Sequence, residues 1–288
     1  MKEVAIYKKP DVKLSRMVIG FSGWMDGGNV STGTVKYLKN KLKAEKFAEI
    51  KPEKFYIFNL PGTMQEVARF RPHTRIKEGL IEVFEYPKNE FFFSEEKNII
   101  LFSGKEPNLG WNEYANCIFF LGERFGLEEI YFAGSVAGAI PHTREVRITC
   151  SVSDKEQKER LKGYDVRFTE YEGPASIVTF LTKISKEKGI KMVSLVAEIP
   201  LYIQTENPKA IKAIMKRLVK LLNLEIDLSD LSKMSDEFEK NVNIALAREP
   251  KLAEQVKKLE EAYDKEFFDD QKEEFESWLK KYGIDKLN

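Results

Sequence analysis

The sequence has few of the residues from which metal and redox sites are usually built. Among 288 residues there are two cysteines and two histidines. Cys117 and Cys150 lie in separate apolar runs and form no CxxC pair, so they predict neither a zinc site nor a disulfide framework. We expect both to be small buried side chains. Because no HxH, HxxxH or acidic cluster offers ligand spacing either, we predict no metal and no other cofactor.

Long apolar runs and an excess of one charge are also missing. No stretch approaches the ~20 apolar residues of a membrane span, and the N-terminus lacks the apolar core of a signal peptide. Lysine and arginine number 47 against 46 aspartate and glutamate, which gives a formal net charge of +1. Such a balance creates no overall field that would attract nucleic acid. We therefore expect a cytoplasmic protein with neither membranes nor nucleic acid among its partners.

Apolar segments that alternate with helical patterns make up most of the chain. Residues 17–21 and 98–102 are apolar runs that end in Ser-Gly, which indicates buried strands leading into loops. Residues 111–125 have helical spacing and stop at Gly126. Such alternation predicts an α/β fold with a mainly parallel sheet and helices on both faces. The other predicted strands lie at 55–60, 129–132, 146–152 and 191–199. One further helix is predicted to begin near Ser31 or Thr32, and two more are predicted at 174–184 and 208–222.

One segment departs from this pattern. Around Ile81 and Val83 apolar residues alternate with acidic ones, and residues 91–93 (Phe-Phe-Phe) follow a Pro-Lys-Asn-Glu turn. Period-two alternation interrupted by a turn is typical of an antiparallel hairpin. We therefore predict a hairpin that joins these two runs and is attached to the main sheet.

The character of the chain changes after Leu222. A linker-like turn predicts an α/β domain at residues 1–224 and a C-terminal helical extension at residues 225–288. Within the extension, one helix is predicted at about residues 236–248, and Glu249-Pro250 marks a break before a second helix.

In the second of these helices, apolar residues recur at 4-3-4 spacing in a charged background, which predicts an amphipathic seam. An aromatic-bearing charged helix near a terminus is a candidate for binding a partner. The pattern fits packing against its own domain equally well. The candidate partner-binding residues are Leu252, Val256, Leu259, Tyr263, Phe267, Phe275 and Trp278.

Loops beyond the carboxyl ends of parallel strands are where function collects in such folds. The loop that contains Gly23, Asp26, Gly27 and Gly28 follows a predicted strand and precedes a predicted helix, as a phosphate-binding loop does. It matches neither GxGxxG nor the Walker motif. Tight-turn geometry alone would also explain the glycines.

Three further side chains near strand ends are candidate catalytic groups. Glu106 and Glu198 each follow or end a predicted strand and precede a proline, and they would act as a catalytic pair or cap helix N-termini. His142 lies beside Arg144 in Pro-His-Thr-Arg, where the two would serve as acid/base and anion anchor. We favour a proline-fixed turn whose His and Arg bond to neighbouring oxygen atoms.

No nucleophile can be identified from the sequence. There is no GxSxG elbow, and neither cysteine has a histidine or lysine close in sequence that would activate a thiolate. This argues against an ordinary hydrolase.

Seven motifs follow one another along the chain. They are GFSGWMDGGN at 20–29, FYIFNLPG at 55–62, Arg71-Pro72, LFSGKEPNLGW at 101–111, AGAIPHTREV at 137–146, YEGPASIVTFL at 171–181 and AEIPLYIQTENPKA at 197–210. In this order they resemble the motifs of the PAC2 (proteasome assembly chaperone 2-like) family in its prokaryotic or archaeal form. The similarity extends from about Arg16 to Phe268 and includes QVKKLEEAYD at residues 255–264.

The resemblance implies a body similar to the nucleoside-phosphorylase/hydrolase-like fold, oligomers of identical subunits, and relatives that help to assemble proteasome rings. Members that dock onto proteasomes end in hydrophobic-Tyr-X, whereas Tyr282 is followed here by six residues. We therefore do not expect docking through the tail. Leu201 stands where the family often has a histidine, which removes one candidate catalytic group.

Together these features predict a homo-oligomeric assembly chaperone or scaffold that binds partners through its oligomer surface and C-terminal helices. Its partners would be copies of itself and proteasome subunits or another protein client. The alternative is an enzyme or small-ligand-binding protein with an anion pocket at the strand ends, with Glu106, His142 and Glu198 around it. Catalysis is left open. The candidate ligand- or anion-binding residues are Gly23, Asp26, Gly27, Gly28, Arg71, Arg144 and Tyr202.

Overall fold

The structure, a computed structural model, describes the backbone of residues 1–281 and the side chains of residues 1–266 and Phe268. The strands are β1 (Val4–Ile6), β2 (Arg16–Ser22), β3 (Glu45–Ile50), β4 (His73–Lys77), β5 (Leu80–Glu85), β6 (Glu90–Ser94), β7 (Ile99–Lys105), β8 (Glu129–Gly138), β9 (Ile148–Val152), β10 (Arg167–Phe168) and β11 (Lys191–Pro200). The α-helices are α1 (Val30–Lys41), α2 (Met64–Ala68), α3 (Trp111–Phe125), α4 (Lys155–Arg160), α5 (Ile177–Glu187), α6 (Pro208–Leu221), α7 (Ser229–Leu246) and α8 (Pro250–Lys281).

Nine of these strands form one sheet, in the order β1-β3-β6-β7-β2-β8-β11-β9-β10. The four central strands, β7, β2, β8 and β11, are all parallel to their neighbours within this group. The flanks are mostly antiparallel, because short connections such as the one from β6 to β7 allow no crossover. The prediction of an α/β fold around a parallel sheet is confirmed, and its antiparallel flanks make the sheet mixed.

Helices cover both faces of this sheet, as predicted. Side chains such as Ile19 and Phe132 face the layer that contains α3 and α5. Their chain neighbours Val18 and Tyr131 face the layer that contains α1 and α6. Because successive strand residues point to opposite faces and both faces are covered, the central strands are continuous apolar runs in the sequence.

Two predictions about individual strands are wrong. Residues 55–60 form no strand; Phe55 and Tyr56 are buried, and the Tyr56 hydroxyl donates to Asn89 Oδ1 at 2.6 Å. Their apolar character reflects burial, and the strand in this part of the sheet is β3.

The second error is the hairpin around Ile81, because β5 pairs with β4 in a separate two-stranded sheet. β6 instead joins the main sheet between β3 and β7. The tight turn at Glu78-Gly79, where φ is 50° and 79°, makes β4 and β5 the hairpin.

The two C-terminal helices, α7 and α8, are called the arm here, and the chain before them is called the body. α7 begins at Ser229, earlier than predicted, and packs along α6 with Leu231 buried. α8 begins at Pro250, where the sequence indicated the break. None of the helices in residues 1–281 combines the length and apolar character needed to span a membrane.

Candidate functional site

The glycine-rich loop after β2 lies between the ends of β8 and β11 and the start of α6. Asp26 accepts hydrogen bonds from the amide and hydroxyl of Thr32 at 3.0 and 2.8 Å and so holds the first turn of α1. A Cβ on Gly27 would lie 2.8 Å from Ile199 Cδ1, and one on Gly28 would lie 2.9 Å from Asn207 Cβ. These contacts give both glycines a packing role. Their role in binding an anion stays a prediction.

Glu106 connects this loop to the opposite layer of helices. Its Oε2 accepts from the Trp24 amide at 3.1 Å, and its Oε1 accepts from the Ile177 amide at 3.1 Å, at the N-terminus of α5. A carboxylate is favoured at a helix N-terminus because the free amides and the helix dipole are positive there. This geometry matches the capping alternative for Glu106. A Cβ on Gly23 would lie 2.9 Å from Glu106 Cβ, so the close approach requires glycine.

The two candidate carboxylates are not brought together. Glu198 lies on β11 beside Gly138, whereas Glu106 follows β7. With β2 and β8 between those strands, the spacing of about 4.8 Å per strand separates the two positions by roughly 14 Å. One small reacting group would not reach both carboxylates directly at that separation.

His142 is buried at the contact between the body and α7. Its Nδ1 lies 2.8 Å from the Tyr202 hydroxyl, and its Nε2 lies 3.1 Å from Asn243 Oδ1 on α7. The His142 amide also donates to the Tyr202 oxygen at 2.9 Å. This network assigns the proton to Nε2, with the Tyr202 hydroxyl donating to Nδ1.

Burial lowers the pKa of His142, while the hydrogen bond to Asn243 and the charge of Glu239 act in the opposite direction. Lys209 donates to the His142 carbonyl at 2.5 Å and forms an ion pair with Glu239 at 2.5 Å. A neutral His142 therefore joins three elements: the loop after β8, the loop after β11, and α7.

Arg144 holds α8. Its Nε and Nη2 donate to the two carboxylate oxygens of Asp264 at 2.7 and 2.8 Å, a bidentate pair. The hydrogen bond from Arg144 lowers the pKa of Asp264. Glu260 lies 3.6 Å from Arg144 Nη1 and accepts from the Thr143 hydroxyl.

Arg147, which directly precedes β9, also contacts α8. The guanidinium of Arg147 lies 4.2 Å from the ring centre of Tyr263, whose hydroxyl donates to the Glu145 carbonyl at 3.0 Å. Glu266 bridges Arg147 and Arg167 at 2.9 and 3.0 Å. Burial would raise the pKa of Glu266, but the two arginines lower it overall. Nε and Nη2 of Arg147 are buried and have no hydrogen-bond partner among the described residues.

The predicted apolar seam of α8 lies on the covered side of the helix, and its Tyr263 contacts the body of the same chain. Val256 is buried, and Leu252, Leu259 and Tyr263 are half-buried. The side chains of Phe267, Phe275 and Trp278 lie outside the described residues. Of the two interpretations that the pattern left open, packing on the body is the one seen in this chain.

Arg71 lies apart from these groups, next to α2, and donates to Asn59 Oδ1 at 2.9 Å. The candidate residues therefore fall into three places: the loop after β2 with Glu106, the contact of His142, Tyr202 and Arg144 with the arm, and the exposed Arg71.

Sequence reasoning missed a cavity of about 320 Å³ next to Trp24 and the N-terminus of α5. Trp24 and Tyr171, two of its lining residues, are 58% and 67% exposed. The described lining residues carry no formal charge. A usable signal was the alternation of Thr149 and Ser151 with apolar residues in β9. The hydroxyl-bearing residues of the lining are Thr149, Ser151, Thr169, Tyr171, Ser176, Thr179 and Ser194.

Comparison with known proteins gives one family and several relatives. The model of the PAC2 family matches residues 20–246. An uncharacterised protein of Methanocaldococcus jannaschii, MJ1210, is 24% identical over 266 residues, which is 91% of each chain.

Among solved structures, a PAC2 family protein from Streptomyces avermitilis is 29% identical, with a TM-score of 0.70, over 84% of this chain and 99% of that one. Pyrococcus furiosus PbaB, an archaeal proteasome activator, is 25% identical, with a TM-score of 0.63, over 85% and 99% of the two chains.

Proposed function

Because the chain belongs to the PAC2 family, we propose that it works by association, as a homo-oligomeric assembly chaperone or scaffold that binds partner proteins. The observation that carries this proposal is the use of a family-like motif to hold the arm. His142 and Arg144, both in the IPHTR sequence, contact α7 and α8 respectively. His142 and Arg144, the candidate acid/base and anion anchor, thus position two long helices. On this proposal, His142 and Arg144 fix the orientation of an interaction surface.

The likeness to a proteasome activator at 25% identity supports proteasome subunits as the class of partner. The arm offers a surface for them. One side of α8 contacts the body through Tyr263 and Asp264, and its other side is charged and exposed, as at Lys257 and Glu261. A helix held on one side presents the opposite side in a fixed orientation, which reduces the conformational entropy lost on binding.

Binding to purified proteasome subunits tests this proposal. We expect native mass spectrometry to detect complexes between the full chain and proteasome subunits. The Arg144→Ala variant, which releases Asp264, should bind more weakly. The matched control is Arg71→Ala, because Arg71 lies in another family-like motif but contacts Asn59 in the body.

Absence of any complex with proteasome subunits would overturn the proposed partner class. Light scattering tests the homo-oligomer separately, and a wild-type chain that stays monomeric at micromolar concentration would overturn that part.

Binding of an uncharged small ligand is a second candidate function, favoured by the cavity beside Trp24. Its volume of about 320 Å³ lies at the lower end of the range typical of ligand pockets, and its hydroxyl groups would fix a polar but neutral molecule. Nucleosides should raise the melting temperature of the wild type. Val136→Trp at the cavity should abolish that shift, whereas Val12→Trp at a similarly exposed site should keep it. No shift with nucleosides in the wild type would count against this candidate.

A further inference from the structure

The β4–β5 hairpin exposes an apolar face. Cross-strand partners in a sheet share a face. Thr74 pairs with Phe84, and Ile76 pairs with Ile81, while the register shifts between Arg75 and Ile76. Because of this shift, Phe84 and Ile81 point to the same side although they are three positions apart. We call Thr74, Ile76, Ile81 and Phe84 the apolar face.

The side chains of this face are accessible to solvent. Ile76, Ile81 and Phe84 are 60%, 67% and 54% exposed. Phe84 contacts only the ring of Tyr86 among the described aromatic pairs, at 5.3 Å between ring centres. A two-stranded sheet is marginally stable by itself and needs further strands or a packed face. The apolar face therefore calls for a covering element that residues 1–266 do not supply.

The two edges of the hairpin carry opposite charge. Within residues 1–281, β4 and β5 pair only with each other, so each has one edge without a neighbouring strand. The β4 edge carries Arg75 and Lys77 besides His73, and the β5 edge carries Glu82 and Glu85. Within one hairpin these charges already attract, since Arg75 Nε lies 3.1 Å from Glu82 Oε2.

This charge arrangement favours a second copy of the chain as the occupant, in one orientation. Pairing β5 with β5 would place acidic side chains opposite each other, and pairing β4 with β4 would do the same with basic side chains. Pairing the β4 edge of one copy with the β5 edge of the next opposes unlike charges. If neighbouring copies are related by rotation about an axis along the strands, this pairing is antiparallel and extends the sheet.

We propose that the β4–β5 hairpin is a self-association element, in which the β4 edge of one copy pairs with the β5 edge of the next and the apolar face is buried. The inference rests on the proposed homo-oligomer and names its surface. Such a contact is head-to-tail, so it produces a ring if the rotation closes. In a closed ring the joined hairpins form a barrel, and the apolar faces pack against one another inside it. Each subunit then contributes its hairpin to two contacts.

The test compares opposite faces of the same hairpin. In the full chain, Ile76→Lys/Ile81→Lys places charge on the apolar face, while Leu80→Lys places charge on the other face at a site that is 73% exposed. Sedimentation equilibrium should show that the wild type and Leu80→Lys form the same oligomer. The double variant should associate at least about tenfold more weakly, because burying the charged side chains is unfavourable.

Thermal unfolding of the dilute variants controls for folding, and unchanged transitions are expected because all three sites are exposed. An oligomeric wild type whose mass is unaffected by Ile76→Lys/Ile81→Lys would overturn this inference and leave the proposed homo-oligomer intact. A monomeric wild type would overturn both.

Pairing of oppositely charged edges also predicts that the association depends on salt concentration. Raising the ionic strength from about 0.05 M to about 0.5 M should weaken the wild-type association, because screening reduces attraction between the unlike edges. Association that strengthens with salt would overturn the head-to-tail pairing.

Discussion

The arm and the β4–β5 hairpin both extend from the layered body, and they differ in how fully their own chain contacts them. The arm is strongly charged, yet its acids meet Arg144, Arg147 and Arg167 on the body, and Val256 is only 5% exposed. The hairpin is less charged, yet Ile81 is 67% exposed. Charge content alone would therefore predict, wrongly, that the arm is the more exposed of the two elements. What distinguishes them is whether a side chain finds a complementary group nearby.

The largest expected difference comes from placing one carboxylate in each region. Val256→Asp should destabilise the packing of α8 by about 2–4 kcal/mol, because the new charge has to be buried or α8 has to leave the side chains that cover Val256. Ile81→Asp should change the unfolding free energy of the dilute chain by less than about 0.5 kcal/mol, because the site is exposed. Amide exchange of residues 250–266 and thermal unfolding measure the two effects. Equal protection of the amides of residues 250–266 against exchange in both variants would contradict the difference between arm and hairpin.

A smaller effect is expected when Arg144 is replaced by alanine. This change removes both hydrogen bonds to Asp264 but leaves the apolar contact of Val256. Amide exchange in α8 should become faster than in the wild type and stay slower than in Val256→Asp. The control Arg71→Ala should leave α8 unchanged. Exchange in α8 that is indifferent to Arg144 would show that the ion pair does not hold the arm.

The contact of His142 with α7 should depend on pH. Because the folded protein lowers the pKa of His142 below its ordinary value of 6.5, the unfolded chain binds the proton more readily. Stability is therefore highest above pH 6.5 and is lost as the pH falls through the lowered pKa. Denaturant unfolding between about pH 5 and 8, a range that brackets the pKa of free histidine, should show this loss in the wild type.

The control for that measurement is His142→Gln, in which the slope due to this side chain disappears while Glu239, Lys209 and Glu260 remain. An identical pH profile for the two proteins would contradict the assignment of the neutral histidine.

Among the changes where the arm meets the body, the smallest effect is expected from Arg147→Met. Two of its guanidinium nitrogens have no partner in the described part of the chain, so the cost of burying them offsets the contacts with Glu266 and Tyr263. We expect the unfolding free energy to change by less than about 1 kcal/mol. A loss as large as that of Val256→Asp would show that Arg147 is a principal anchor of α8.

Predictability differed among elements for identifiable reasons. β2 and β7 were predicted because both faces of a central strand are buried, which makes the strand a continuous apolar run. The end of α3 was predicted because Gly126 adopts φ of 76°, where glycine is favoured. β3 was missed because a flanking strand with the sequence EKFAEI has mixed polarity, and residues 55–60 were mistaken for a strand because apolar residues are also buried in loops.

The candidate site was predictable at the level of residue types only. The motifs identified Asp26, Glu106, His142 and Arg144 as unusual polar groups near strand ends. They did not indicate that Arg144 meets Asp264, which is 120 positions further along the chain. Pairings at that separation depend on how the sheet and helices are layered, which no local pattern contains.

The amino-acid sequence by itself determined the alternation of buried strands and helices, the break at Pro250 and the family, because each depends on local periodicity, backbone preference or a motif. Only the tertiary structure decided which charges meet, that the arm lies against its own body, and that the apolar face of the hairpin is left uncovered. Those outcomes depend on distances between residues far apart in the chain, and burial and electrostatic attraction act through space.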